Sequence, residues 1–342
     1  MAVVIASIII CFIITHIKNL NKTNQCILIA IVLSLIPLFH NISYSTDLTR
    51  YVIKYNQLHW QSISDLFTKG SKDPFFYAIA KVTSSLGIHS EGWMYLISAC
   101  FCICLAIFMY NYSANIMMSV LALFALYFGF TITGLRQTIA LAAVLISYKY
   151  IMEQNLLKFA ISVAIASLFH STAILFAPAY FVANVKFGKK QYLWIALTVL
   201  PVMLFSGQIR QLIYRFAWSE ALRGYASSEI GLTWSGYIIH LSMLLFSMLM
   251  LKNDDKDNLT VQIMQKFFNC MIVGLVGYSF STIIAESFRI AMYYSIGEIV
   301  VLPSVIGSIK NRNNRFIIGA AISLLLLIYI FIGNRYQLLL KY

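Results

Sequence analysis

Twelve stretches of this sequence are long, apolar and nearly free of charge: 2–17, 25–39, 92–110, 115–133, 135–151, 156–170, 171–185, 191–206, 232–251, 264–285, 287–308 and 316–333. A bilayer core is crossed by about 20 helical residues, and shorter apolar helices fit where neighbours shield their ends. Inside lipid every backbone N–H and C=O must be satisfied within the segment, so such stretches are helical. The pattern predicts an all-α integral membrane protein with about 11–12 transmembrane helices, a single polytopic membrane domain over residues 1–342. Composition agrees, since 60% of residues are hydrophobic and only 11% charged, with a mean hydropathy of +0.80. A soluble domain carries about a quarter charged residues. Soluble enzymes, secreted disulfide modules and disordered scaffolds are thereby excluded.

The six cysteines, Cys11, Cys26, Cys100, Cys102, Cys104 and Cys270, all lie in apolar stretches. Cys100, Cys102 and Cys104 fall on different faces of a helix and are read as small packed hydrophobes, not metal ligands. The first stretch lacks a basic leader and a small-residue cleavage motif, so a retained helix is expected there rather than a signal peptide.

Lys and Arg number 25 against 12 Asp and Glu, a net charge of +13, with no basic block of five or more. Nucleic acid is therefore not an expected partner, whereas anionic lipid phosphates or phosphate-linked substrates are. The Lys-rich connections are 16–22, 148–158, 186–190, 252–257 and 310–315, and the preference for positive charge in the cytoplasm places all five inside. That holds only if 156–185 crosses twice, with Phe169, His170, Ser171 and Thr172 at a turn near the outer face. Both termini, the loop 40–91 with its short helices, and the loop 207–231 then lie outside. On this topology eleven of sixteen lysines fall inside, while seven of nine arginines fall outside: Arg50, Arg136, Arg210, Arg215, Arg223, Arg289 and Arg335. A guanidinium is a planar fork suited to phosphate oxygens, so arginines on the side where topology disfavours them point to a substrate. The competing reading is that they snorkel to the interface.

Several outer segments carry candidate site residues. Early in the loop 40–91, Ser43, Ser45 or Thr46 can cap a helix on which Asp47, Arg50, Tyr51, Lys54 and Tyr55 share one stripe, suited to sugar hydroxyls and phosphate, or else an ordinary surface ion pair. Asp73-Pro74 reads as an N-cap followed by Pro at the first helical position, opening an interfacial helix with Phe75, Phe76 and Tyr77 towards acyl chains. Arg136 and Gln137 follow Gly134 at a helix start, where free N–H groups and the helix dipole favour an anion. Nothing acidic is near in sequence; phosphate is one partner for Arg136 and a distant carboxylate the other. His170 can accept a proton from a hydroxyl or bond to phosphate, or can be a satisfied structural residue. Arg210, Gln211, Tyr214 and Arg215 can line one face, Arg223 precedes Gly224, and Trp218, Tyr225 and Trp234 offer flat surfaces for sugars or an interfacial belt. Glu286, Arg289 and Tyr293 share a face, with mutual neutralisation of the first two as the alternative to a role in the site. Glu298 lies deeper, without a local partner.

The order STDLTRY, a DPFF stretch, GLRQTIALA, the run ending FHSTAI, and ESFRIAMYYSIGEIVVLP resembles the EpsG group of Wzy-like polysaccharide polymerases over residues 44–305. The order and spacing of the motifs, more than any one of them, carry the likeness. The resemblance implies a membrane enzyme that joins undecaprenyl-pyrophosphate-linked oligosaccharide repeats on the outer side of the bacterial inner membrane. It also implies a GT-C-like helical bundle and a metal-independent site at the membrane surface. It points first to Arg136, His170 and Arg289, then to Asp47, Arg50 and Tyr51. On this footing Arg136 and Arg289 neutralise the departing diphosphate, Arg210 and Arg215 assist, and His170 activates the acceptor hydroxyl with Asp47 or Glu286 as alternative bases. No Walker loop or paired-acid metal site occurs, so no cofactor is expected. The expected partners are the lipid-linked oligosaccharide and the bilayer, with a chain-length regulator as a further candidate. A flippase of lipid-linked oligosaccharide and an O-antigen ligase-like glycosyltransferase are the alternatives.

Overall fold

Each apolar stretch is helical in the computed structural model, which describes residues 1–68, 72–216, 220, 224, 234–250, 259–284, 286–332 and 340. No β-strand occurs among the described residues. The protein is an all-α integral membrane protein. The chain divides into two compact units, residues 1–174 with 309–342, and residues 175–308.

The first unit begins with α1 (Ala2–His16), α2 (Lys22–Leu35), α3 (Thr46–Gln57), α4 (Ile63–Thr68) and α5 (Pro74–Ser85). It continues with α6 (Ser90–Tyr112), α7 (Ile116–Leu126), α8 (Phe128–Thr131), α9 (Leu135–Met152) and α10 (Leu156–Phe169). Short polar residues start these helices by accepting bonds from otherwise orphaned N–H groups. Asn21, Ser45, Asn115 and Asn155 accept from the backbone N–H of Asn24, Leu48, Met118 and Lys158. The long α6 packs against α2 and α9, and α9 against α10.

The polar connection between α2 and α6 is a folded layer. Leu48, Tyr55, Leu58, Leu66, Phe76 and Ala80 bury themselves with Trp93, Met94 and Ile97 of α6 and Leu135 of α9. The Tyr55 hydroxyl fixes the layer by donating 2.8 Å to the Ile88 carbonyl. The expected lipid-facing helix is thus corrected at Phe76, which is only 2% exposed; Phe75, at 42%, remains on the surface. Pro74 starts α5 and the apolar spacing along it turns Phe76 and Ala80, four residues apart, onto the same core.

The second unit holds α11 (Ala179–Ala183), α12 (Lys189–Thr198), α13 (Leu200–Leu204), α14 (Ser206–Phe216), α15 (Trp234–Met250), α16 (Leu259–Phe280), α17 (Ser287–Ser295) and α18 (Glu298–Gly307). A methyl group on Gly277 would sit 3.0 Å from the Ala291 Cβ and 3.2 Å from its Cα, so α16 and α17 are almost in backbone contact. Small residues permit this close approach, as in other membrane helix pairs. Asn269 is fully buried and donates to the Val182, Ala183 and Val185 carbonyls at 3.0, 2.9 and 2.7 Å. It satisfies the end of α11, while Tyr192 donates to its carbonyl oxygen and Gln265 to Tyr192. The last helix, α19 (Arg312–Ile332), belongs to the first unit and packs on α7.

Among the described residues five helical runs are long and apolar enough to cross a bilayer: Lys22–Phe39, Ser90–Tyr112, Leu259–Phe280, Ser287–Gly307 and Arg312–Ile332. A sixth is present if Lys190–Leu204 and Ser206–Phe216, bent by 67°, form one span. Other expected spans are present as shorter apolar helices, among them Ala2–His16, Ile116–Leu126, Leu156–Phe169 and Gly236–Met250. The 115–133 stretch breaks at Tyr127, and 156–185 breaks at His170 and passes through a 3-10 turn at Ser171–Phe176. The break at His170 falls at the expected turn, whereas hydropathy alone gives no sign of the one at Tyr127.

Candidate functional site

The centre of the site in the first unit is a carboxylate. Asp73 precedes Pro74, which has no N–H to be capped, and adopts a left-handed backbone at φ 58°, ψ 60°. Asp tolerates this region better than most residues. Its side chain makes no capping bond and is 1% exposed. The expected N-cap is therefore corrected: the carboxylate turns inward and binds residues far along the chain.

Asp73 Oδ2 accepts from Arg136 Nη1 at 2.9 Å and lies 3.2 Å from His170 Nδ1. Oδ1 accepts from the Ser171 backbone N–H at 2.9 Å. Arg136 occupies the second residue of α9, and its Nε donates to the Tyr51 hydroxyl at 3.3 Å. Its guanidinium also lies 5.8 Å from the centre of the Tyr51 ring. His170 terminates α10 in an extended conformation, φ −150° and ψ 110°, which brings its own ring and the following N–H to Asp73 together. Five elements thus converge: α3, the entry to α5, the start of α9, the end of α10 and the turn after it.

Electrostatics fix the protonation of this group. Burial by itself would raise the Asp73 carboxyl, but hydrogen bonds from His170 and Ser171 and the charges of His170 and Arg136 outweigh it, holding the group below the usual carboxylate range. An ionised carboxylate only accepts, so Nδ1 of His170 carries the proton. In the neutral ring Nε2 is then the acceptor. That nitrogen is buried with no hydrogen-bond partner, as is Thr172 Oγ1. The arrangement can hold an anion at the partly open Arg136, 19% exposed, and can take a proton at Nε2.

The structure joins Arg136, His170 and Tyr51 among the residues expected from the sequence, and adds Asp73 and the Ser171 backbone. Arg136 has a carboxylate partner, Asp73, the distant carboxylate that the sequence left open beside phosphate. Asp47 and Arg50 are not joined to Asp73; they form a 3.9 Å pair with side chains 37% and 80% exposed. The stripe on α3 is thus split: Tyr51 faces Arg136, Lys54 donates to Gln61, and Tyr55 is buried. Gln137 is buried beside Arg136. His40, which the sequence did not single out, is also buried in this unit, and burial drives its pKa down to about 4 against an opposing contribution from the Ile132 backbone.

Other expected residues lie in the second unit. Arg210 donates to the Thr282 carbonyl at 3.2 Å, whereas Tyr214 and Arg215 on the same helix are exposed. Glu286 and Arg289 form no ion pair with one another; a backbone bond of 2.9 Å from the Arg289 N–H to the Glu286 carbonyl links them instead. Glu286 Oε2 is buried without a hydrogen-bond partner. Tyr293 is fully buried, its ring 6.5 Å from that of Phe176. Glu298, without a partner nearby in sequence, meets His240 Nδ1 at 2.7 Å, and the His240 ring stacks on Tyr278 at 3.8 Å. Arg223, Trp218 and Tyr225 lie outside the described residues. Among the described residues no group of three or more His, Cys, Asp or Glu side chains is placed to hold a metal ion.

No curated protein and no solved structure gave a match to the chain. The EpsG family model matches residues 38–342, a span that contains every element of the Asp73 site. The chain therefore belongs to the EpsG family, the EpsG group of Wzy-like polysaccharide polymerases.

Proposed function

We propose that this multi-pass membrane protein polymerises a surface polysaccharide by moving a growing glycan from undecaprenyl pyrophosphate to a hydroxyl of an incoming lipid-linked repeat. The observation that carries this reading is the buried carboxylate of Asp73, which holds an arginine and a histidine side by side. In the transfer, the acceptor oxygen attacks the anomeric carbon as its proton passes to His170 Nε2. The bond to the diphosphate oxygen breaks, and its electron pair leaves with the diphosphate, whose growing charge Arg136 stabilises. The ring later returns the proton to water. Tyr51 holds the guanidinium from its other side and presents a hydroxyl and ring face where a sugar can lie.

The site belongs, in this reading, on the outer face of the bacterial inner membrane, because the Lys-rich connections favour the cytoplasm. Gln137 is proposed as a buried support of this site; within the second unit, taken by itself, Arg289, Arg210 and Glu286 are proposed substrate contacts, with Tyr293 as a buried support there. The lipid carrier supplies the energy of the new bond, so no cofactor enters the scheme. Cells carrying Arg136→Ala or His170→Ala should accumulate single lipid-linked repeats on the outer leaflet and lose long polymer. Long polymer persisting in both would remove these residues from the site, and repeats stranded on the inner leaflet would favour a flippase.

A further inference from the structure

An arginine and a histidine share one oxygen. Arg136 Nη1 and His170 Nδ1 lie 2.9 and 3.2 Å from the same Asp73 Oδ2, so the two nitrogens are within about 6 Å of one another. The second oxygen of Asp73 is already taken by the Ser171 N–H. Protonating the ring therefore sets two positive charges against one negative charge, in a place where the His170 and Asp73 side chains are 4% and 1% exposed. Charges at that separation interact appreciably wherever water is largely excluded. An anion on Arg136 would remove the conflict.

We infer that Asp73 is a positioning residue that couples the two halves of the proposed reaction: a diphosphate seated on Arg136 lets His170 take up a proton, and a protonated His170 tightens the hold on the diphosphate. The inference rests on Arg136 gripping diphosphate and His170 acting as base. Its consequence is an order of events, in which the ring accepts the acceptor's proton only when a donor diphosphate is in place. An unloaded site would then activate neither water nor a stray hydroxyl. The coupling must be reciprocal, because binding and protonation are linked equilibria.

The other ionisable groups on elements packed around the ring do not reproduce this effect. Tyr51 and Tyr77 interact electrostatically with Arg136 and Asp73, yet tyrosines ordinarily titrate near pH 10, far above histidine. Asp47 is half exposed in its pair with Arg50. Asp73 stays ionised well below the range in which imidazoles titrate.

The test uses the purified full chain in detergent and methylene diphosphonate as the probe, with affinity measured by calorimetry at pH 8.0 and pH 5.5. Comparing wild type with His170→Gln at each pH cancels the probe's own titration. The wild-type advantage should grow on the order of tenfold as the pH falls, from charges about 6 Å apart at an intermediate effective dielectric. The same comparison made in an Asp73→Asn background should show no growth. An advantage that is equal at both pH values overturns the coupling. If His170→Gln does not fold, proton uptake by the wild type serves instead, read from binding heats in buffers of different ionisation enthalpy. Proton uptake beyond that of the probe is expected, and none overturns the coupling. Undiminished binding by Arg136→Ala overturns the parent reading, a result distinct from either of these.

Discussion

Replacing Asp73 by Asn removes the charge at the heart of the site and little else. The side chains are nearly equal in size, and Asn tolerates the left-handed backbone at φ 58° as readily as Asp. The amide has one acceptor oxygen where the carboxylate has two, and three donors now compete for it: Arg136, His170 and the Ser171 N–H. If the oxygen stays with Ser171, the NH2 group points donors at both cations. Leaving one partner of a buried ion pair uncompensated costs about 3–5 kcal/mol. Arg136 keeps 19% of its side-chain exposure and its bond to Tyr51, so a loss at or below the lower end, about 2–3 kcal/mol, is expected here. The effect on turnover should be larger. An amide donor opposite Nδ1 favours the tautomer with its proton on Nε2, where the base is needed. Loss of the orienting carboxylate behind a catalytic histidine lowers turnover by roughly 10⁴-fold in the best-studied hydrolases, and a fall of about 10³-fold or more is expected in glycan polymerised per minute by purified protein in vesicles. Thermal unfolding of the same preparation would separate the two effects. Turnover within fivefold of wild type, in a protein folded normally, would refute the role given to the Asp73–His170 contact.

Three further outcomes follow from particular contacts. Arg50→Gln and Asp47→Asn should change stability by less than about 1 kcal/mol, because exposed pairs contribute little, and should leave polymer length unaltered on a gel. His40 is neutral in the fold, with a pKa near 4 against 6.5 when unfolded, so the unfolded chain takes up the proton first as pH falls. The stability it allows is fully present above pH 6.5 and declines by up to about 3 kcal/mol towards pH 4; His40→Leu should flatten denaturation curves measured across that window. Asn269→Leu strips three carbonyls of their donor and should cost about 2–4 kcal/mol, seen as a lower unfolding temperature in detergent.

What the sequence disclosed and what it concealed divide along physical lines. Helical segments were legible because apolar content in lipid forces internal hydrogen bonding, and the break at His170 was legible because charge on the flanking connections demanded two crossings. Arg136 and His170 stood out as polar residues in apolar surroundings. Asp73 did not, since a local explanation, the cap before Pro74, accounted for it. Its real partners lie 63 and 97 residues further on, beyond the reach of any spacing rule. The α3 stripe was legible as a face, but a face wide enough to hold Tyr51 also held Arg50, and only packing against Phe76 decided which turned inward. Glu298 and His240, 58 residues apart, were hidden for the same reason as Asp73. Long-range pairing of polar groups is set by which helices touch, and hydropathy carries no record of that.

The most direct test is reconstitution of the purified chain in vesicles with one defined undecaprenyl-pyrophosphate-linked repeat, with products resolved by length. Wild type is expected to give a ladder of multiples of the repeat and to release undecaprenyl pyrophosphate, while His170→Gln and Arg136→Ala leave the single repeat unchanged. A ladder of undiminished length and yield from either variant would contradict the assignment of these side chains to the transfer.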